Sequence, residues 1–143
     1  LGDVYKRQID ELISEKKIEP KPYLDEDITF HDPCYLGRHN GEYDAPRKVL
    51  QSVLKEGSIT EMEQSKSDSF CCGAGGGNMW YEIKTGERIN KHRVNQAVDT
   101  EAKTIAAACN FCNIMLEDGV KTTGNEENIR VVDIAEMVSK GLE

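Results

Sequence analysis

Residues 70–78 read Phe-Cys-Cys-Gly-Ala-Gly-Gly-Gly-Asn, so two adjacent cysteines run directly into a glycine-rich turn. One further cysteine, Cys34, lies upstream with 36 residues between it and the pair, and a Cys-x-x-Cys motif, Cys109 and Cys112, follows with 35 residues between it and Gly73. The chain contains five cysteines, and all of them belong to this pattern. Thiolates from three separate loops indicate one site, which we interpret as an iron–sulfur cluster.

Adjacent cysteines can reach one metal centre only under a geometrical condition. Successive side chains of an extended strand point to opposite faces, so Cys71 and Cys72 can share a centre only if the backbone turns there. Gly73 permits that turn, and the glycine run lets backbone N–H groups approach a cluster closely. The Cys-x-x-Cys motif alone is less specific, because zinc ribbons and thioredoxin-like redox sites also use it.

The composition indicates a soluble domain with a single core. The chain has 143 residues, of which 38% are hydrophobic and 31% charged. Its net charge of −8 disfavours a nucleic-acid partner, because phosphate binding requires clustered lysine and arginine. No apolar run is long enough to span a bilayer, and no signal segment opens the chain. An odd number of cysteines beside glycines predicts reduced, metal-binding cysteines and a cytoplasmic location.

Short strands are predicted to alternate with helices. Apolar and β-rich runs predict strands at 28–31, 104–108 and 129–132, with a weaker strand at 59–63. Helices are predicted at 9–17, at 87–98, from an Asp44 N-cap to Gly57, from Cys112, and from Asp133. We therefore predict an α/β fold with a small parallel sheet flanked by helices. Cys34 and Cys109 follow two predicted strands directly, which places the cluster site at the carboxyl ends of the strands.

The start of the chain differs from the rest of the sequence. The first residue is Leu rather than Met, so we interpret the sequence as a C-terminal fragment of a longer protein. Residues 1–8 resemble a translated adapter sequence and carry none of our interpretation. We expect residues 1–27 to form an N-terminal segment and linker, and residues 28–143 to form the cysteine-rich iron–sulfur domain.

Three stretches carry a resemblance to a known family. They are His-Asp-Pro-Cys-Tyr-Leu-Gly-Arg at 31–38, Cys-Cys-Gly-Ala-Gly-Gly-Gly at 71–77, and Cys109-x2-Cys112 followed by Met-Leu-Glu-Asp-Gly at 115–119. From about residue 28 onward, the chain resembles the CCG cysteine-rich domain of heterodisulfide reductases and of glycolate oxidase iron–sulfur subunits. The three stretches are similar to those of membrane-associated (Fe–S)-binding oxidoreductases of this group. The chain departs from the family pattern in two ways. It has one such domain, whereas family members usually have two, and the residues inside its Cys-x-x-Cys motif are Asn110-Phe111 instead of the expected Pro-Phe.

The resemblance implies a cofactor and partners. In heterodisulfide reductase, the five cysteines of this motif hold a non-cubane [4Fe–4S] cluster, which implies Cys34, Cys71, Cys72, Cys109 and Cys112 as ligands here. It also implies that the chain belongs to a parent protein with further iron–sulfur domains. If other parts of that parent protein carry a membrane anchor, the protein would lie at the cytoplasmic face of the membrane. The implied partner is a flavoprotein dehydrogenase or an electron-transfer flavoprotein.

Three functions remain open at this stage. The first is an electron-transfer module of an iron–sulfur oxidoreductase, which passes electrons between a flavoprotein and another redox centre or quinone. The second is reduction of a disulfide at the cluster, as in heterodisulfide reductase. The third is a zinc-stabilised, non-enzymatic interaction domain, although zinc sites seldom use adjacent cysteines. No residue is assigned a catalytic role, and of the three histidines only His31 lies near a cysteine in the sequence.

Overall fold

Three parallel strands form the centre of the fold. The computed structural model of the chain describes residues 2–81 and 85–143. In these residues the sheet consists of β1 (Ile28–His31), β2 (Thr104–Ala107) and β3 (Arg130–Asp133). The middle strand, β2, pairs in parallel with both neighbours. The predicted α/β fold with a small parallel sheet is confirmed.

Helices cover both faces of this sheet. In the described residues they are α1 (Gly2–Ser14), α2 (Asp44–Val53), α3 (Ile89–Val98), α4 (Asn110–Thr122) and α5 (Ile134–Gly141). One hydrophobic core joins α1, α2 and α5 to the sheet, and a second core joins α3 and α4 to its other face. Alternate residues of β2 belong to different cores: Ala106 to the first, and Ile105 and Ala107 to the second. Because β2 is buried on both faces, its sequence reads as a short apolar run.

The connections between these elements carry the cysteines. A π-helical turn, Tyr35–His39, follows β1, and the long connection from α2 to α3 includes the 3-10 turns Lys66–Asp68 and Gly75–Trp80. The adjacent cysteines lie between those two 3-10 turns. In the described part of the chain, no helix has the length and apolarity to cross a membrane.

The first helix differs from its predicted bounds. It runs from Gly2 to Ser14 rather than over 9–17. Lys16 adopts a positive φ of 54°, and the N–H groups of Lys16 and Lys17 donate to the carbonyls of Ile13 and Leu12. This pattern of hydrogen bonds is a Schellman C-cap. The end was mispredicted because the left-handed position holds a lysine instead of the usual glycine.

Three further predictions are corrected between residues 42 and 63. The weak strand at 59–63 is reduced to one parallel bridge between Ile59 and Ile28. Asp44 is the first residue of α2 rather than its N-cap, which is Tyr43, and the Glu42 carboxylate accepts the Ala45 N–H at 3.0 Å. The same helix ends at Val53, not at Gly57, where Cβ of any other residue would lie 2.0 Å from the Glu26 carbonyl oxygen.

Candidate metal centre

Five cysteines from three loops line one cleft. Cys34 lies just beyond β1, Cys109 lies just beyond β2, and the adjacent pair comes from the connection between α2 and α3. The cleft has a volume of about 490 Å³ and is lined by all five cysteines. It lies at the carboxyl ends of β1 and β2, where open α/β sheets form ligand sites. The structure therefore brings together every cysteine that the sequence offered as a ligand.

Hydrogen bonds connect four of the thiols. Bonds from Cys112 and Cys71 hold the pKa of Cys72 far below its usual range. The bond with Cys72 raises the pKa of Cys71, and the bond with Cys109 raises the pKa of Cys112. One thiolate is thus stabilised while its neighbours keep their protons, because several negative sulfurs so close together would repel each other. Ionising all of these sulfurs requires a positive centre between them, so the donor set fits a soft metal or an iron–sulfur cluster.

Exposure of the thiols is graded across the cleft. Cys72 and Cys112 are buried, Cys71 and Cys109 are half-buried, and Cys34 is exposed. The buried pair belongs to the core formed with α3 and α4. The site is therefore anchored in the core on one side and open to solvent on the side of Cys34.

The glycine turn brings the adjacent cysteines to the same cleft. Gly73 has a φ of +92°, a conformation that residues with a Cβ rarely adopt. Its N–H donates a hydrogen bond to Cys71 Sγ at 3.3 Å. A backbone donor thus contacts a candidate ligand sulfur, which is a contact that favours the thiolate.

The start of α4 presents the other two sulfurs. Cys109 occupies the N-cap position in an extended conformation, and Cys112 lies in the first turn. The free N–H groups and the dipole of a helix N-terminus favour negative charge nearby. This end of α4 therefore suits thiolate ligands, with Asn110 and Phe111 in place of a more rigid Pro-Phe pair.

A buried ion pair fixes the loop that carries Cys34. Asp32 is almost fully buried, and both its carboxylate oxygens accept hydrogen bonds from Arg47, at 2.8 and 2.9 Å. The Lys66 N–H also donates to Asp32, at 2.7 Å. Arg47 donates in addition to Glu61, and Arg38 donates to the carbonyls of Ser67 and Ser69. Both arginines therefore hold loops together.

His31 and Arg93 form a polar pair behind the buried sulfurs. His31 lies close to both buried cysteines, and the candidate ligand atoms of His31, Cys72 and Cys112 all lie within 4.8 Å of one another. Arg93 is fully buried, and its Nε donates to His31 Nδ1 at 3.0 Å. Burial lowers the pKa of Arg93 to about 10, so the guanidinium stays charged at neutral pH. Burial also lowers the pKa of His31.

Sequence reasoning did not single out Arg93. The signal that could have found it is its position on α3, where it shares a face with Asn90, Val94 and Ala97 at helical spacing. All four residues are buried, so Arg93 is a charge on the core face of a helix. The other two histidines lie elsewhere: His39 contacts the Tyr35 ring, and His92 contacts the edge of Phe70.

Fold and site together define an α/β domain with a five-thiol centre at the carboxyl edge of its sheet. The family model described as "CCG: Cysteine-rich domain" matches residues 28–117. The match covers more than half of the chain, so the chain belongs to the family of CCG cysteine-rich domains.

Curated relatives include larger proteins from bacteria and archaea. The chain is 41% identical over 143 residues to the probable iron-sulfur-binding oxidoreductase FadF of Bacillus subtilis, covering 99% of this chain and 20% of that protein. It is 42% identical over 146 residues to the EtfAB:quinone oxidoreductase of Syntrophomonas wolfei, covering 97% and 20%. It is 39% identical over 132 residues to one subunit of the dihydromethanophenazine:CoB–CoM heterodisulfide reductase of Methanosarcina barkeri, covering 92% and 32%. The chain thus spans a third or less of the length of these relatives.

Proposed function

We propose that this chain is an iron–sulfur electron-transfer module of an oxidoreductase. The observation that carries the proposal is the convergence of all five cysteines on one cleft at the carboxyl edge of the sheet. A relative named as an iron-sulfur-binding oxidoreductase matches nearly the whole chain, which supports the same function. When bound, an iron–sulfur cluster supplies a redox centre whose potential depends on hydrogen bonds to sulfur and on solvent exposure.

We assign Cys34, Cys71, Cys72, Cys109 and Cys112 as the ligands of a single [4Fe–4S] cluster. A cubane takes four cysteines, so five thiolates in one cleft favour a non-cubane centre with an additional bridging sulfur. The mutual contacts of Cys71, Cys72 and Cys112 support this assignment, because each of these sulfurs already lies against another candidate ligand. The Gly73 N–H would stabilise negative charge on the Cys71 sulfur.

The surroundings of the cleft suit exchange of electrons with another protein. The buried side excludes water from Cys72 and Cys112, whereas the open side is bordered by the exposed rings of Tyr35, Trp80 and Phe111. Trp80 is 78% exposed. Aromatic side chains with an apolar body and a polar atom are enriched at protein interfaces. The open side is therefore the place where a redox partner would approach.

We propose that the partner is a flavoprotein, either a dehydrogenase or an electron-transfer flavoprotein, and that other iron–sulfur domains belong to the same parent protein. The match to an EtfAB:quinone oxidoreductase supports this choice. Because quinones dissolve in the lipid phase, the parent protein would work at the cytoplasmic face of a membrane.

Disulfide reduction is the second candidate function. The exposed Cys34 on the open side of the cleft favours it, since a disulfide substrate could reach that sulfur, and a heterodisulfide reductase is among the relatives. Steady consumption of a disulfide by the reduced protein would establish this function. Reversible reduction without consumption of the disulfide would leave electron transfer as the function.

The ligand assignment is tested by changing each cysteine to serine, one at a time, and purifying each variant without oxygen. We expect every variant to lose iron and sulfide and to change its electron paramagnetic resonance spectrum, because each thiolate contributes to the centre. Met79→Leu is the matched control, since Met79 lines the same cleft without a thiolate, and it should keep the full cluster. If Cys71→Ser or Cys72→Ser keeps a complete cluster with an unchanged spectrum, that residue is not a ligand.

A further inference from the structure

Arg93 is a buried cation whose hydrogen-bond partners are all uncharged. Its guanidinium is fully buried and donates to His31 Nδ1, to the Gln64 carbonyl, to Gln96 Oε1 and to Ser69 Oγ, at 2.7–3.2 Å. None of these four acceptors carries a negative charge. A buried charge without an anion in hydrogen-bond contact is costly. The negative groups that stabilise Arg93 across space are Asp32 and the sulfurs of Cys112 and Cys72, so its position behind the cleft calls for an explanation.

The bond from Arg93 decides which tautomer His31 adopts. A guanidinium can only donate hydrogen bonds, so His31 Nδ1 must be the acceptor and cannot carry a proton. The proton of the neutral ring is then on Nε2, which becomes a donor. The candidate ligand atoms of His31, Cys72 and Cys112 lie within 4.8 Å of one another, so the Cys72 sulfur is an acceptor within reach of this donor.

This tautomer excludes an alternative role for His31. Proximity alone would allow His31, Cys72 and Cys112 to bind one metal ion. A histidine that binds a metal through Nε2 normally donates its Nδ1–H to an acceptor. Here Nδ1 faces a donor instead, so the ring cannot present a free lone pair on Nε2 to a metal.

On the basis of the iron–sulfur function proposed above, we propose that Arg93 holds His31 in its Nε2–H tautomer, so that His31 donates a hydrogen bond to the Cys72 ligand and raises the reduction potential of the centre. A donor to a ligand sulfur stabilises the more negative, reduced state. The buried positive charge of Arg93, beside the same sulfurs, acts in the same direction. His31 and Arg93 are thus positioning residues that contact the ligand and not the metal.

The first test measures the reduction potential of anaerobically purified variants. His31→Leu removes the donor, whereas His31→Gln keeps an N–H near the position of Nε2. When wild type and His31→Leu are held at the same solution potential, we expect the ratio of oxidised to reduced protein to be about tenfold higher in His31→Leu. This ratio corresponds to a reduction potential of the centre that is about 59 mV lower. His31→Gln should recover most of that change. His92→Leu is the matched control and should leave the potential unchanged, because the ring of His92 lies against the edge of Phe70.

The second test reads the tautomer directly. In wild-type protein with ¹⁵N-labelled histidine, the His31 ring should show an unprotonated Nδ1 and a protonated Nε2, and Arg93→Gln should allow protonated Nδ1 to appear. The opposite tautomer in wild-type protein would overturn the proposal. So would an unchanged potential in His31→Leu, or a loss of iron in His31→Gln that marks the histidine as a ligand.

These two readouts separate this proposal from the proposed function. If wild-type protein contains zinc and no sulfide, the iron–sulfur function fails, but the ring nitrogens still show whether His31 donates to Cys72 or binds the metal. If the cluster is present and only the potential fails to respond, the function stands and the role of His31 is wrong. Should His31→Leu fail to fold, the comparison of His31→Gln with Arg93→Gln replaces it, and the Arg93→Gln variant should have the lower potential, because it lacks the buried positive charge.

Discussion

Replacing Arg47 by methionine tests the ion pair that fixes the Cys34 loop. Arg47 and Asp32 keep only 14% and 2% of their side-chain surface exposed, and two hydrogen bonds of 2.8 and 2.9 Å join them. Removing one partner of a buried pair costs about 3–5 kcal/mol, because the other charge stays buried. Asp32 would keep the bond from the Lys66 N–H, so we expect a loss near the lower value, about 3 kcal/mol.

Urea unfolding of the metal-free Arg47→Met protein measures this loss. With a slope of about 2 kcal/mol per molar urea, the midpoint should fall by roughly 1.5 M. Lys55→Met is the matched control, because Lys55 pairs with Asp25 at 3.4 Å on the surface, with more than half of both side chains exposed. Its effect should be about 0.5 kcal/mol or less. The double variant Arg47→Met/Asp32→Asn should lose less than the sum of the two single variants. A loss below about 1 kcal/mol in Arg47→Met would refute this account of the pair.

Two further variants and one treatment test the packing of the domain and the structural role of the metal. Gly119→Ala would place Cβ 2.7 Å from Val94 Cγ2 and 3.0 Å from the Asn90 carbonyl oxygen. We expect the free energy of unfolding, measured in urea, to fall by about 1–2 kcal/mol. A second substitution, Val94→Ala, should recover part of that loss. A more stable Gly119→Ala protein would show that α3 and α4 are not in close contact there. Gly57→Ala should lower the free energy of unfolding by about 3 kcal/mol or more in the same assay, because its Cβ would overlap the Glu26 carbonyl. An unchanged stability would show that the backbones of Gly57 and Glu26 are not in this close contact. Removal of metal should leave the circular dichroism of the sheet and helices intact, while amides of the cysteine loops exchange faster. Complete unfolding would show that the metal, and not the two hydrophobic cores, holds the sheet and helices together.

The strands and the convergence of the cysteines could be predicted because both depend on local patterns. The apolar run that became β2 is buried on both faces, and such runs identify central parallel strands. Once the strands were placed, the rule that ligands gather at the carboxyl ends located Cys34 and Cys109 at the same edge. The turn at Gly73 followed from the need to bring two neighbouring side chains to one side.

Features set by tertiary context could not be predicted in the same way. Lys16 ends α1 in a left-handed conformation without the usual glycine, and Ile59 pairs with Ile28 at a single position instead of forming a strand. The pairing of Arg93 with His31 joins residues 62 positions apart, and a solvated arginine on a helix is the usual expectation. The cap at Lys16 is local, but the sequence marks such a cap only when a glycine occupies it. The other two cases depend on which distant group satisfies a polar atom, and a one-dimensional pattern does not contain that information.

Iron and acid-labile sulfide in wild-type protein purified without oxygen test the central proposal most directly. We predict a brown protein with about four irons and four sulfides per chain, bound by thiolates of the cleft. Stoichiometric zinc without acid-labile sulfide would contradict it, and the chain would then be a zinc-stabilised interaction domain.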